Sequence, residues 1–386
     1  MRVKFSFFTV LFGLFSLLIV PFHACTTPSN NNNNNTNKDG GTSNDAGTIK
    51  EKKKFRVCVK GEKIKECSGS SSCDAQKDCG RLDGYDLKGM CRESMCAVVP
   101  KKQNATLKGD KAPDLSCLTT PPALPQGPKT AIWWGPIETF GLNGDTTDLK
   151  VSIYDQEAFL KDSKTSPITT FTANTPKKET GCSKTCEADQ VCFKKQCIKV
   201  QDSKGYSIGY FEFKDLPTNK LLAVKVEGAG FTDTYQFNIW IPADKLKDGW
   251  FKERAFVISD TTKSLIPATA GIAEISPEHS AIAGEIQDCA GEQIQGATVS
   301  FSLRPQKLAY FNGDGDQPDP AQQETNKDGT YVALNVKPPA DGKIKVLVSA
   351  NINGKLTTLA TYTTKIFPDA ITILTMQPWD PSKAKK

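Results

Sequence analysis

The sequence predicts an all-β protein: two tandem antiparallel β-sandwiches accompanied by small disulfide-rich modules. Three observations predict it. Apolar residues alternate at period two in many short runs that Gly, Pro, Asn and Asp punctuate. Only residues 243–247 read as a short helix. Thirteen cysteines accompany just two histidines, and most of the cysteines fall in two clusters, as in an exported disulfide framework. No Cys-x2-Cys pair of the kind a zinc site uses occurs.

The start of the chain sets the compartment. Arg2 and Lys4 precede an uncharged apolar run over residues 5–22, which ends at Phe22-His23-Ala24-Cys25. A basic segment, an apolar segment and then a small residue describe a secretory signal. Residues 1–24 are expected to be removed as a lipoprotein signal peptide. Ala24-Cys25 resembles a bacterial lipobox, although Phe22 stands where that pattern usually carries Leu. The resemblance implies diacylglycerol on the Cys25 sulfur and an acyl chain on the new amine. Several chains anchor firmly where one binds marginally, at about 0.8 kcal/mol per buried methylene. The expected location is therefore the cell envelope, at the outer membrane or cell surface, with the membrane as a partner through the lipid.

Residues 25–57 read as a flexible linker containing the unbroken run Asn30 to Asn35. Such a segment buries too little apolar surface to offset its ordering entropy, and as a coil it spans about 30 Å. Residues 58–100 form the first cysteine-rich module, with Cys58, Cys67, Cys73, Cys79, Cys91 and Cys96. So small a core needs staples, and six cysteines leave 15 connectivities open. Cys182, Cys186, Cys192 and Cys197 repeat the theme over residues 181–200, and the Cys-x4-Cys spacing of Cys192 and Cys197 matches that of Cys91 and Cys96.

The remaining chain divides into a first sandwich, residues 113–265, and a second, residues 266–380. Alternating runs at 149–154, 210–213, 222–226 and 234–241 supply strands of the first. Runs at 281–286, 297–301, 331–334, 344–348 and 371–374 supply those of the second. Both halves carry a turn glycine, an aromatic strand and a short proline turn, at Gly209 and again at Gly329. The second cysteine cluster then reads as a loop insertion before the Gly209 strand, where insertions are tolerated. Strands of this kind are expected to be half-buried.

Three segments carry a resemblance: Ala283-Gly284-Glu285-Ile286-Gln287-Asp288, Ile294-Gln295-Gly296-Ala297-Thr298-Val299-Ser300 and Asn326-Lys327-Asp328-Gly329-Thr330-Tyr331. Together they resemble carboxypeptidase regulatory-like domains, which are prealbumin-like seven-stranded sandwiches. The cysteine blocks are similar to the small Cys-rich repeats of bacterial surface lipoproteins. The resemblance implies an accessory spacer, adhesive or carbohydrate-binding-like module rather than a peptidase.

Four constellations are candidates for chemistry or cross-linking. Gly205-Tyr206-Ser207-Ile208-Gly209 fits the nucleophile-elbow spacing with His279 downstream, but that motif requires a strand-turn-helix and a strand is expected after Ser207. Asn312, Asp314 and Asp316 place oxygens at alternating positions, as a calcium loop does, although Gln317 and Gln323 stand where an EF-hand carries Gly and Glu. Trp133-Trp134 could stack on a sugar, or divide between core and edge. Cys117 and Cys289 are left over from the clusters and are expected to pair, fixing one sandwich against the other. The formal charge is +6, but the lysines are scattered and no basic stripe alternates with aromatics, which argues against nucleic acid. The sequence thus points to a non-enzymatic, lipid-anchored binding or scaffolding protein without cofactor, whose extracellular ligand or protein partner it does not identify. A carbohydrate- or calcium-dependent adhesin is the alternative, with a serine hydrolase on Ser207 and His279 a distant third.

Overall fold

Short alternating runs become strands where at least one of their faces finds a cover. The computed structural model describes residues 72–74, 88–141, 144–313, 317–319 and 321–384. Its first three strands, β1 (Ser72–Asp74), β2 (Lys88–Arg92) and β3 (Met95–Val98), form a small antiparallel sheet. A single helical turn, α1 (Ser116–Thr119), follows.

The first half contains β4 (Thr130–Phe140), β5 (Lys150–Asp155), helix α2 (Gln156–Lys161) and β6 (Thr169–Thr172). The hairpin β7 (Gln190–Phe193) and β8 (Gln196–Lys199) interrupts it. It resumes with β9 (Tyr210–Pro217), β10 (Leu221–Gly228), β11 (Phe231–Trp240), β12 (Trp250–Lys252) and β13 (Ala255–Ser259), and ends in helix α3 (Asp260–Thr269). One layer is β9 beside β4, whose other edge pairs in parallel with β12 and then β13. The other layer runs β6-β5-β10-β11 and is antiparallel. Between them lie Trp133, Ile137, Phe211, Phe213, Val151, Ile153, Leu222 and Val224. Gly135 is required where the chain crosses, because a Cβ there would lie 1.9 Å from the Glu253 carbonyl oxygen.

The second half has β14 (Ser280–Glu285), β15 (Ala297–Phe301), β16 (Lys307–Phe311), the two-residue β17 (Pro318–Asp319), β18 (Thr330–Val336), β19 (Lys343–Ile352), β20 (Lys355–Lys365) and β21 (Ile371–Leu374). Strands β21-β14-β18-β16-β17 make one layer and β15-β19-β20 the other. Ile282, Val299, Phe301, Tyr331, Val346 and Val348 fill the space between.

The two halves share a sheet. Strand β21 lies between β11 and β14 and is parallel to both, with Ile371 opposite Thr234 on one side and Ala281 on the other. Gly284 permits this approach: a Cβ there would sit 2.0 Å from the Leu374 carbonyl oxygen. Asn238 reinforces the joint. Its backbone N–H donates to Gln156 Oε1 at 2.6 Å and its side chain to the Thr375 carbonyl at 3.1 Å. Cys117 and Cys289 form a disulfide across 172 residues of sequence.

Two expectations need correction. The short helix expected over 243–247 is a 3-10 helix of one turn, Ala243–Lys245, after which Lys247 pairs with Trp250 around Asp248 and Gly249, both at positive φ, and it is not the only helix. Among the described residues the α-helices longer than one turn are α2 and α3, capped by Asp155 and Ser259, whose side chains accept from Ala158 N–H and Thr262 N–H. Secondly, every residue of β15 and β16 is buried rather than every other one. In β15 the outer face is covered by the first cysteine hairpin: Thr298 Oγ1 donates to the Val98 carbonyl at 2.7 Å and Val98 N–H to Ser300 Oγ at 3.3 Å. Among the described residues no helix is long and apolar enough to cross a membrane.

Candidate functional site

The best-formed polar constellation lies on the outer face of β9, β4 and β12. Alternation along β4 sends Trp133 inward and Trp134 outward. Register then places Glu212 of β9 and Lys252 of β12 directly opposite Trp134 on its two sides, so an acid, an indole and a base share one cross-strand row. Trp250 lies one step along, two residues before Lys252. Hairpin β7–β8 closes over this row. Ile198 and Tyr210 pack with Trp134, joined by Val191, Phe193, Ile208 and Trp250, and Trp134 is left 3% exposed.

Lys194 projects into this aromatic group from the hairpin turn. Its Nζ lies 3.4 Å from the Trp250 ring centroid, 4.9 Å from that of Phe193 and 5.9 Å from that of Trp134. It also pairs with Glu212 Oε2 at 2.7 Å. Ring faces carry negative potential and attract an ammonium, the more so once water is excluded. Lys252 Nζ lies 4.9 Å from the Trp134 centroid, and burial holds its pKa below the ordinary lysine value. The Tyr210 hydroxyl donates to the Lys199 carbonyl at 2.7 Å. Burial, with Glu138 adding to it, pushes that phenol up to about 12.

Trp133 and Trp134 therefore do not form a sugar-stacking platform. Trp133 lies in the first core, with Nε1 donating to the Glu253 carbonyl at 2.9 Å, and Trp134 lies beneath the hairpin. Ser207 is half-buried in the loop before β9, its carbonyl accepting from Thr146 N–H at 3.1 Å. The chain beyond it becomes antiparallel strand β9 rather than a helix. His279 is buried immediately before β14 in the other half, its carbonyl accepting from Asp369 N–H. Asn312 accompanies a turn in which its N–H donates to the Gln317 carbonyl at 3.0 Å. Asp314 and Asp316 lie outside the described residues, so the calcium expectation does too.

Cys182 pairs with Cys192 and Cys186 with Cys197. Three of these sulfurs lie within 4.8 Å of one another, but sulfur committed to a disulfide supplies no thiolate to a metal. Cys91 and Cys96 are disulfide-bonded as well, and Cys73 lies in β1. Cys25, Cys58, Cys67 and Cys79 lie outside the described residues. A separate surface cleft of about 470 Å³ is lined by Asp145, Lys204, Tyr206, Phe231, Ser259 and Thr261.

Sequence reasoning named Trp134 but missed Phe193, Lys194, Glu212, Trp250 and Lys252. The available signal was compositional, an aromatic residue beside a charged one at 193–194 and again at 250–252, and only strand register within the sheet and the packing of the hairpin onto it unite them. No known family model matches the chain, and neither does any curated protein.

Proposed function

We propose that this chain is a non-catalytic protein of the cell envelope, held at the outer membrane or cell surface by lipid on Cys25, and that its work is binding or scaffolding. The observation that carries the reading is the cross-linking. The Cys117–Cys289 bond staples the segment before β4, which packs on the second half through Ala105 and Leu115, to the loop after β14 rather than one sandwich to the other, and each strand of the second hairpin carries a further disulfide. Frameworks of this kind persist in oxidising compartments, which suits the export-type start of the chain. The shared strand β21 and the Asn238 contacts add rigidity of the sort a spacer or display scaffold needs. The second half, two layers of strands around one core, supports the resemblance to carboxypeptidase regulatory-like sandwiches and the accessory role it implies.

Mass spectrometry of the N-terminus of protein isolated from its native membrane tests the reading. A chain beginning at triacylated Cys25 is expected. An intact Met1, or an unmodified Cys25 in a soluble fraction, would overturn the anchor.

A further inference from the structure

The second hairpin places an ammonium where a ligand would sit. We propose that Trp134, Trp250 and Glu212 form a cage for an alkylammonium group, that Lys194 fills it in the closed chain, and that an external alkylammonium can take its place. The ligand class follows from the cage. Two indole rings and one carboxylate attract a cation and offer nothing to an anion. The ammonium's position, 3.4 Å from the Trp250 centroid and 2.7 Å from Glu212 Oε2, is that of a bound ligand.

Lys194 behaves as a tethered ligand rather than as part of the sheet. It sits with Lys195 at the tip of a two-residue turn in which neither residue is glycine and both take positive φ, 48° and 59°. The disulfides Cys182–Cys192 and Cys186–Cys197 hold that tip together from within the insertion. The hairpin meets the sheet through side chains: Lys194 on Glu212, the Tyr210 hydroxyl on the Lys199 carbonyl, and Lys252 Nζ on Gln196 Oε1 at 3.3 Å. Such contacts can be released without breaking a strand pairing.

The cage is also crowded. Lys252 Nζ lies 4.9 Å from the Trp134 centroid, so two cations share one indole, and Glu212 pairs with Lys194. The same head-group chemistry could come from a free quaternary amine or from a methylated lysine on a polypeptide. The inference extends the binding role and is independent of the anchor, which the N-terminal mass alone decides.

Reductive dimethylation of the full-length wild-type chain, read by mass spectrometry, tests it, with exposed Lys195 as internal reference. Lys194 is expected to label about tenfold more slowly than Lys195, the factor that a desolvated cation–π contact with its ion pair implies. Tetramethylammonium chloride should raise the Lys194 rate saturably, and sodium chloride at equal ionic strength should not. An N-acetylated trimethyl-lysine tripeptide, inert to the reagent, separates the two sources. Saturation at lower concentration than tetramethylammonium assigns the site to a polypeptide side chain, and otherwise to a free amine. Lys194→Ala should bind tetramethylammonium with a saturable tryptophan-fluorescence change that the Lys194→Ala, Trp250→Leu double variant lacks. Labelling of Lys194 as fast as Lys195, or a rate that tetramethylammonium leaves unchanged, would overturn the cage whether or not the variants fold.

Discussion

Hairpins β2–β3 and β7–β8 share a Cys-x4-Cys frame and a two-residue turn, yet they cover faces of opposite chemistry. Cys91 opposes Cys96 and Cys192 opposes Cys197 in register. The turn residues Glu93 and Ser94, like Lys194 and Lys195, adopt left-handed backbone angles without glycine, a conformation costing about 1–2 kcal/mol per residue. From there the two diverge. Hairpin β2–β3 lays Met95 and Ala97 on Leu347 and Leu356 and is joined to β15 by hydrogen bonds of its own backbone to Thr298 and Ser300. The following chain stays attached, with Ala105 N–H donating to the Asn351 carbonyl. Hairpin β7–β8 rests on aromatic rings and side-chain ion pairs. Even the anchoring charges are reversed: Glu93 of the first turn meets Lys345 of the sheet at 3.7 Å, whereas Lys194 of the second meets Glu212. The stapled turn is thus a reusable device, and the sheet beneath it decides whether the hairpin is built in or merely seated.

Disulfide removal breaks the comparison most severely. The Cys117–Cys289 bond closes 172 residues, and the bonds of the second hairpin close 10 and 11. Loop-closure entropy then predicts a loss of about 5 kcal/mol for Cys117→Ser with Cys289→Ser and about 3 kcal/mol for Cys182→Ser with Cys192→Ser. Denaturant midpoints should fall in that order, and limited proteolysis near residues 182–197 should increase in the second variant alone. Equal losses would show that the unfolded-chain entropy does not govern either bond. Truncation of the covered face comes next. Trp134→Ala should cost about 3–5 kcal/mol and loosen only the second hairpin. Leu347→Ala, fully buried beneath the first, should cost about 2–5 kcal/mol while leaving that hairpin protected from hydrogen exchange through its backbone bonds. Release of both hairpins to the same extent would contradict the distinction.

A third perturbation loads the second half while leaving both hairpins intact. Glu285 is 1% exposed, and burial pushes its carboxyl up to about 7, against the opposing effects of Gln287, Gln293 and Arg254 and with a further push from Asp328. Gln287 Nε2 donates to Glu285 Oε1 at 2.6 Å. Because the folded state favours the neutral acid, folding takes up a proton. The stabilisation is complete below about pH 4.5 and is lost as pH rises through about 7, with a span of about 3 kcal/mol. Asp155 and Glu227 are lowered instead and act in the opposite sense at more acidic pH. The difference between wild type and Glu285→Gln isolates the effect: the variant should gain relative stability from pH 5 to 8 in urea melts. A difference that stays flat over that range would remove Glu285 as the source.

These regions also show what could be read from sequence. Strands β15 and β21 coincide with the alternating runs at 297–301 and 371–374, because each run has an apolar partner on the core side. The equivalence of the hairpins was legible because Cys-x4-Cys around a two-residue turn makes the cysteines cross-strand neighbours. Strand β4 was legible only at Trp133-Trp134, whose division between core and edge the structure shows; its length was not, since Trp133, Trp134 and Gly135 are consecutively buried and break the alternation. Strand β20 (Lys355–Lys365) was not named from the sequence, because its threonines interrupt the apolar/polar alternation that marked the other strands although they favour a strand. The cage joins residues 134, 212 and 250 through strand register, and its occupant, residue 194, arrives only with the seating of the hairpin on that sheet. The parallel insertion of β21 between the halves likewise depends on which edges remain open after all the other strands have paired.

The smallest effect separates the hairpins most cleanly. Exposed ion pairs contribute about 0–1 kcal/mol, so reversing one should be nearly neutral if charge complementarity is all that it supplies. At the first hairpin Glu93→Lys with Lys345→Glu recreates the side-chain pair but forfeits the exposed Lys345 Nζ donation to the Glu93 carbonyl at 2.9 Å, so the swap should lie within about 1 kcal/mol of wild type. At the second, Lys194→Glu with Glu212→Lys also recreates a pair, but it sets a carboxylate against the ring faces of Trp250 and Phe193. The aromatic attraction, about 0.5–2 kcal/mol, is then replaced by repulsion that the new Lys at 212 only partly offsets. The second swap should therefore remain destabilising at high salt, where the ion-pair contribution is screened, while the first stays within that margin of wild type. Equal behaviour of the two swaps would mean that Lys194 is held by its carboxylate alone, and the reversed polarity of the two turns would then be incidental.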